Sequence, residues 1–379
     1  MIVMKKNGLI KTTAFVTLAL TLCLPAHADR SAWRKAHDEG SSAYKRGSFP
    51  DALKGYADAL KEAVDYEQSE EDRATTLNDT GLVFDDMKSY AQAQQNYTDS
   101  LALKRKVFGE DNYALVGTMN NLAASYLAET KYDDAITTLK QSNAIIEKAK
   151  GAMDPALSVN LNRMAGAYQG TKRYGDARDA LTRSLEIAKK SFGEKSPAVA
   201  VIQNNLALAL RFLGQSGDAD KLYKDSLEIR EETMGGDSLE VASSLNKLAL
   251  NYREQKKFEE AQPLLVRALD IVKKAPNATP AQKVAALKNL AVVYRELGTS
   301  EKAQPLYEEA ITIQQKAFGE FDASLIGTYN DMGQMDQELS AYDKAKDCYE
   351  SALTICDKVG APANDLRVKV LSRLEDTLR

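Results

Sequence analysis

Histidine and cysteine are scarce in this chain: 379 residues hold two histidines and three cysteines. Those residue types carry most nucleophilic and metal chemistry, so little of either can be built here. His27 and Cys23 lie in an N-terminal stretch that reads as removable, which leaves His37, Cys348 and Cys356. No CxxC, HExxH or phosphate-cradling glycine loop occurs. A serine–histidine or cysteine–histidine pair would have to use His37, which sits on a polar stretch and reads as an ordinary exposed side chain. Cys348 and Cys356 are eight apart in one predicted helix, roughly 12 Å along its axis. A disulfide needs Cα atoms within about 7 Å, so both read as small core residues. Carboxylates are plentiful but sit on charged runs such as Glu259-Glu260 and Glu308-Glu309, which read as solvated surface. The expectation is a protein that is no enzyme and takes no metal or cofactor.

Long apolar runs are also missing after the first segment. Lys5, Lys6 and Lys11 precede an apolar stretch from Thr12 to Leu24, and Ala26-His27-Ala28 places small residues where a signal peptidase reads. That is a secretory signal, too short to span a bilayer. Leu22 before Cys23 is a poor match to a lipoprotein signal. Cleavage after Ala28 would release the protein to a periplasm or the exterior, with no insertion in a membrane. Residues 1–28 contain three lysines and no acid, so their loss leaves 47 basic against 54 acidic residues, a net charge of −7. An acidic balance gives no support to a nucleic-acid or anionic-membrane partner.

What the chain does have is a beat. Ala93, Ala135, Ala177, Ala219, Ala261, Ala303 and Ala345 stand 42 residues apart, and Ala52 precedes them by 41. A strict period of this size marks stacked repeats. In the third copy, apolar and small residues at helical spacing predict two helices, 113–129 and 132–149, joined at Thr130-Lys131. A second small column runs Gly40, Gly81, Ala123, Ala165, Ala207, Ala249, Ala291 and Gly333. A third holds Ala or Ser from Ala59 to Ala352. Between them stand Phe84, Tyr126, Tyr168, Tyr252 and Tyr294 in first helices and Tyr56, Tyr97, Tyr223, Tyr307 and Tyr349 in second helices. Gly109, Gly151, Gly193, Gly235 and Gly319 suit the left-handed position after a helix. Asp154-Pro155, Ser196-Pro197 and the displaced Thr279-Pro280 supply N-caps.

Small–aromatic–small–aromatic–small at these offsets resembles the tetratricopeptide repeat. The 42-residue length and the LNxLAxxYxxxxKYxxA wording resemble its kinesin light chain type, here in an exported bacterial setting. The resemblance covers residues 31–357 in eight copies, with Asp336 in place of the last aromatic and Ala43 in place of the first. It implies an all-α fold: a right-handed superhelical solenoid of about eight helix-turn-helix repeats, over 29–360. Residues 361–379 read as a final amphipathic helix covering the last core face.

The same resemblance implies that first helices line a concave groove that binds a protein or peptide partner. One column on that face reads His37, Asn78, Asn120, Asn162, Asn204, Asn246, Lys288 and Asn330. Asparagine has no strong helix propensity, and its amide can both donate and accept. The resemblance implies that it holds a bound peptide's backbone; the column would equally serve as a ladder between neighbouring helices. Seven residues later the face carries Tyr44, Asp85, Leu127, Gln169, Arg211, Arg253, Arg295 and Gln337. With Lys288, the three arginines make a basic strip suited to carboxylates, unless nearby acids such as Glu254 and Glu296 pair with them. The earlier copies offer Leu127, Ala124 and Gly166 to apolar or bulky side chains. The protein is expected to be a monomer or weak homodimer, acting as an adaptor or, alternatively, as an assembly factor docking through its convex face or ends.

Overall fold

The computed structural model describes residues 30–64, 66–360 and 363–378. The signal segment 1–28 lies outside them. Every regular element among the described residues is helical. Two compact units divide the chain at residues 121 and 122.

The N-terminal unit contains α1 (Arg30–Lys45), α2 (Phe49–Glu62), α3 (Ser69–Asp86), α4 (Tyr90–Phe108) and a 3₁₀ turn at Tyr113–Leu115. The boundary falls inside α5 (Val116–Ala128). The C-terminal unit continues with α6 (Tyr132–Lys150), α7 (Pro155–Gly170), α8 (Tyr174–Phe192), α9 (Pro197–Phe212), α10 (Ser216–Met234) and α11 (Leu239–Glu254). It ends with α12 (Phe258–Lys274), α13 (Pro280–Glu296), α14 (Ser300–Phe318), α15 (Ser324–Glu338), α16 (Tyr342–Val359) and α17 (Asn364–Leu378). In each unit consecutive helices pack on one another, and a first helix also touches the next first helix, as α7 does α9. The last helix, α17, packs on α16 and α15, burying Ala363 and Val370.

The small columns are where helices meet. The alanines of the 42-residue beat are fully buried, and so are the second-helix tyrosines. Glycine marks the tightest approaches. A Cβ on Gly81 would lie 2.5 Å from the Tyr97 ring, and one on Gly333 would lie 2.8 Å from the Tyr349 ring. Overpacking of that kind costs about 1–3 kcal/mol.

The turns correct one expectation. Gly109, Gly151, Gly193, Gly235 and Gly319 do have positive φ, but ψ lies between 148° and 167°. That is an extended, glycine-only conformation, not the left-handed helical one. The left-handed position is instead inside each repeat, at Lys88, Thr130, Lys172, Lys256 and Ser340, with φ of 58–60°, and at Gly214 and Gly298. The N-caps form as read: Asp154 accepts from the Ala156 amide and Ser196 from the Val199 amide. At the displaced connection Thr279 and Gln282 make a capping box, and Ala275 closes α12 in extended conformation without a glycine.

Candidate functional site on the first helices

The asparagine column does link helices, through a partner the sequence reading missed. The partner stands one repeat and one residue later. In the C-terminal unit Asn205 Nδ2 donates to Asn162 Oδ1 at 2.9 Å, and Asn289 Nδ2 to Asn246 Oδ1 at 3.5 Å. Lys288 Nζ meets Asp331 at 3.3 Å in the same relation. A second polar column, offset by one residue from the first, therefore shares the face. Its 43-residue complementarity to the first column was the available signal.

Each Asn–Asn pair uses half of its capacity. Asn162 and Asn246 accept through Oδ1 and make no hydrogen bond with Nδ2 among the described residues; Asn205 and Asn289 donate and leave Oδ1 unused. All four are half-exposed. A pair thus presents one amide donor and one carbonyl acceptor side by side, the complement of a peptide backbone.

Other members of the column are placed differently. Asn204 is 1% exposed, and its Nδ2 donates to Ser226 Oγ at 2.7 Å and Ser244 Oγ at 3.3 Å. It packs inside, because serines at those two positions draw the amide inward. Asn330 has its Oδ1 buried without a partner while its backbone carbonyl accepts from Arg373. Asn120 lies half-buried on α5. In the N-terminal unit Asn78 accepts from Asn121 at 3.1 Å and donates to Asp79 at 3.0 Å. His37 is not an exposed side chain: it lies between the Trp33 and Tyr56 rings with Nε2 3.0 Å from Asp79.

The arginine strip is largely neutralised from within. Arg211, its side chain 13% exposed, pairs with Glu254 at 3.2 Å and lies over the Phe212 ring. Arg295, 11% exposed, pairs with Glu296 at 2.8 Å and Glu338 at 3.5 Å. Burial works against the Arg295 charge, and the two carboxylates more than offset it, holding its pKa above the usual arginine value. Arg253 differs. It makes no ion pair among the described residues and lines a cleft of about 520 Å³ with Arg295, Glu254, Val292, Asp331 and Gln334. Arg163 and Lys247, in the second column, also make no ion pair there.

The groups that could carry chemistry are few among the described residues. No cluster of three or more potential metal ligands occurs there, and no helix is long and apolar enough to cross a membrane. Cys348 and Cys356 are unpaired and buried. Burial, with Asp336 beside it, pushes the Cys348 thiol up to about 12, so it carries no thiolate near neutral pH.

The tetratricopeptide repeat family model matches residues 72–148, 113–190, 156–232, 198–274 and 283–358. No curated protein matches the sequence. Among solved structures, BtubC (BKLC) from P. vanneervenii is similar at 22% identity over 67% of this chain and 94% of that one, with a TM-score of 0.51. A Podosopora anserina putative kinesin light chain with nearly identical repeats is similar at 22% identity over 55% and 98%, with a TM-score of 0.50. The apo quorum sensor NprR from B. thuringiensis is similar at 14% identity over 85% and 87%, with a TM-score of 0.64. At these identities the likeness is one of fold. With the family model covering most of its repeats, the chain belongs to the tetratricopeptide repeat family.

Proposed function

We propose that the protein is an exported, non-catalytic adaptor that holds an extended peptide segment against its first helices. Tetratricopeptide repeat proteins bind protein or peptide partners, and the array supplies such a scaffold. The observation that carries the reading is the pair of half-used amides, Asn162 with Asn205 and Asn246 with Asn289. A donor and an acceptor held together suit a peptide unit of any sequence. Arg253, unpaired in its cleft, supplies a contact for an acidic side chain next to the backbone contacts. Arg211 and Arg295 contribute less, since Glu254, Glu296 and Glu338 already match their charges.

The test is comparative capture from an exported-protein extract. Wild type should retain a partner that Asn162→Ala with Asn246→Ala loses, and Arg253→Glu should weaken retention further at low salt than at high salt. Equal capture by all variants, with unchanged circular dichroism, would refute the reading. Export itself is tested by cell fractionation and by N-terminal sequencing, with Asp29 expected as the first residue.

One observation favours a second reading, docking through the C-terminal end. Val368 on α17 is 67% exposed, with Leu366 and Leu371 exposed on the same helix. If that face joins a second copy or an assembly, Val368→Asp should abolish any concentration-dependent dimer seen by light scattering.

A further inference from the structure

We infer that the cleft between the second helices α12 and α14 is a fatty-acid site, with a lysine-lined head and an apolar tail. Two adjoining cavities make it. One, of about 670 Å³, is lined by Lys273, Lys283, Lys316 and Glu309 beside Ile313 and Pro280. The other, of about 550 Å³, has Val266, Leu269, Leu290, Tyr294 and Leu306 in its lining. The charged side chains that complete it, Asp270, Glu301 and Lys302, are exposed. Lys273 borders both cavities and pairs with Glu309 at 2.7 Å. Lys283 and Lys316 make no ion pair among the described residues. The head cavity thus sets three lysines against one glutamate.

The other repeats show what is unusual here. Lys283 stands in a packing column that elsewhere reads Leu115, Leu157, Val199, Val241 and Leu325, all 0% exposed. Lys283 itself is half-buried. It is five residues from Lys288, about 140° round α13, so it does not share the face of the asparagine column. At the tail end Val266, 43% exposed, replaces Lys224 of the preceding copy. There Tyr252 carries Lys224 and Lys257 over its ring at 5.7 and 5.6 Å, whereas Tyr294 carries Lys302 alone at 5.7 Å. The charges differ as well. Glu231 precedes Lys273 by one repeat, and Lys274, which precedes Lys316, pairs with Asp270 at 2.7 Å. Thr312 stands where that acid would serve Lys316. The preceding copy has a filled column and a matched lysine; this one places a lysine in the column and leaves it without an anion. A partly desolvated cation is costly alone, and an anionic head offsets that cost.

The shape of the cleft selects its occupant. Side chains of α12 and α14 meet across it at Lys273 and Glu309, so an α-helix, about 10–12 Å across, cannot lie in it. An extended peptide would leave backbone N–H and C=O groups unpaired against Leu269, Leu290 and Leu306. An alkyl chain carries no such groups. From Lys302 to Lys316, α14 rises roughly 21 Å. That is the length of about sixteen extended carbons at roughly 1.3 Å each. Lys283 and Lys316 offer one donor to each oxygen of a carboxylate, and the nearby Glu309 disfavours a doubly charged head.

The site uses neither the half-used amides nor Arg253, so it does not rest on the peptide-binding reading. The experiment titrates the purified protein with hexadecanoate, shorter fatty acids, hexadecanol and hexadecyl phosphate, each below its micelle concentration. The readouts are the dissociation constant by calorimetry and the ¹³Cε resonances of Lys283 and Lys316. Hexadecanoate should bind and move both resonances. Hexadecanol, lacking the charge, should bind about tenfold more weakly. Each shortening by two carbons should weaken binding roughly tenfold. Lys283→Leu restores the residue type of its column. It should weaken hexadecanoate about tenfold, with a circular dichroism melt no lower than that of wild type. Val266→Lys copies Lys224 and should weaken it comparably by obstructing the tail. The inference is overturned if hexadecanoate leaves both resonances unmoved, if hexadecanol binds as tightly, if hexadecyl phosphate binds more tightly, or if either variant binds as wild type does.

Discussion

The N-terminal and C-terminal units are built from the same repeat, yet they treat their polar groups in opposite ways. The N-terminal unit closes most of its own circuits. Asp79 serves His37 and Asn78 and faces Lys104, Asp85 accepts from Tyr97 at 2.8 Å, and Asp86 accepts from Tyr44 at 2.7 Å. The C-terminal unit leaves circuits open. Its asparagine pairs hold unused donors and acceptors, Arg253 and Lys247 lack carboxylates, and Tyr307 OH is buried beside Arg295 with no acceptor. Scaffold positions that can be satisfied internally cost nothing in specificity. Positions left open are where an outside group gains most, since satisfying a desolvated polar atom is worth more than adding a contact to a satisfied one.

The largest effect should come from opening the closed unit. Asp79→Asn keeps the shape and removes the charge that His37 and Lys104 face. We expect a loss of about 2 kcal/mol, the scale of hydrogen bonds to charged groups. The sole tryptophan reports it. Trp33 is buried in this unit, donates to Thr76 Oγ1 at 3.0 Å and has its ring centroid 5.1 Å from that of His37, the planes tilted by 32°. Its fluorescence should show a lower urea midpoint in the variant. An unchanged midpoint would mean that the N-terminal circuit is decorative and that the contrast between the units lies in composition alone.

Much of the scaffold was legible because packing demands the same residue sizes at every copy. The alanine beat, the tyrosines and the caps follow the 42-residue period, apart from a first step of 41 and the displaced Thr279. The face was legible only in part. The Asn–Asn hydrogen bonds between neighbouring first helices run at 43, so a column read at 42 shows one partner and hides the other. Asn162 was visible and Asn205 was not. The arginines were visible as a strip, but Glu254 and Glu338, each 43 away from an arginine, had neutralised two of the three. His37 looked polar from its neighbours in sequence, whereas the tertiary fold places it between two rings.

The next effect is smaller and lies in the open unit. Asp336 occupies the column of Phe84, Tyr126, Tyr168, Tyr252 and Tyr294, is 1% exposed, and has the Cys348 thiol at 3.8 Å as its side-chain partner. Burial raises its pKa above the usual carboxylate range. The sign follows from proton linkage. The folded state binds this proton more tightly than the unfolded chain, so its contribution is complete below the unfolded pKa near ~3.9 and is lost as pH rises through the folded value. Asp336→Asn should therefore stabilise the C-terminal unit at pH 7 by about 1 kcal/mol. It should also flatten the fall in far-UV melting temperature between acidic and neutral pH. A variant that melts with the wild-type pH dependence would show that Asp336 ionises without cost, and that this position is not one of the open circuits.

The smallest effect tests whether the open unit also stores strain in its turns. Thr130 is β-branched and holds φ of 58°, a conformation such residues rarely adopt. Two equivalent turns, at Gly214 and Gly298, use glycine instead. The steric penalty for an L-residue there is about 1–2 kcal/mol, and glycine gives back about 0.5–1 in unfolded-state entropy. Thr130→Gly should thus gain about 0.5 kcal/mol, read as a slightly higher denaturant midpoint by circular dichroism, and Gly298→Thr should lose about as much. If Thr130→Gly destabilises instead, the threonine hydroxyl or its packing outweighs the backbone strain, and the turns of the C-terminal unit are as well satisfied as the polar network of the N-terminal one. The contrast between the units would then be confined to the side chains facing a ligand, which is where a binding function, and not general laxity of the fold, would put it.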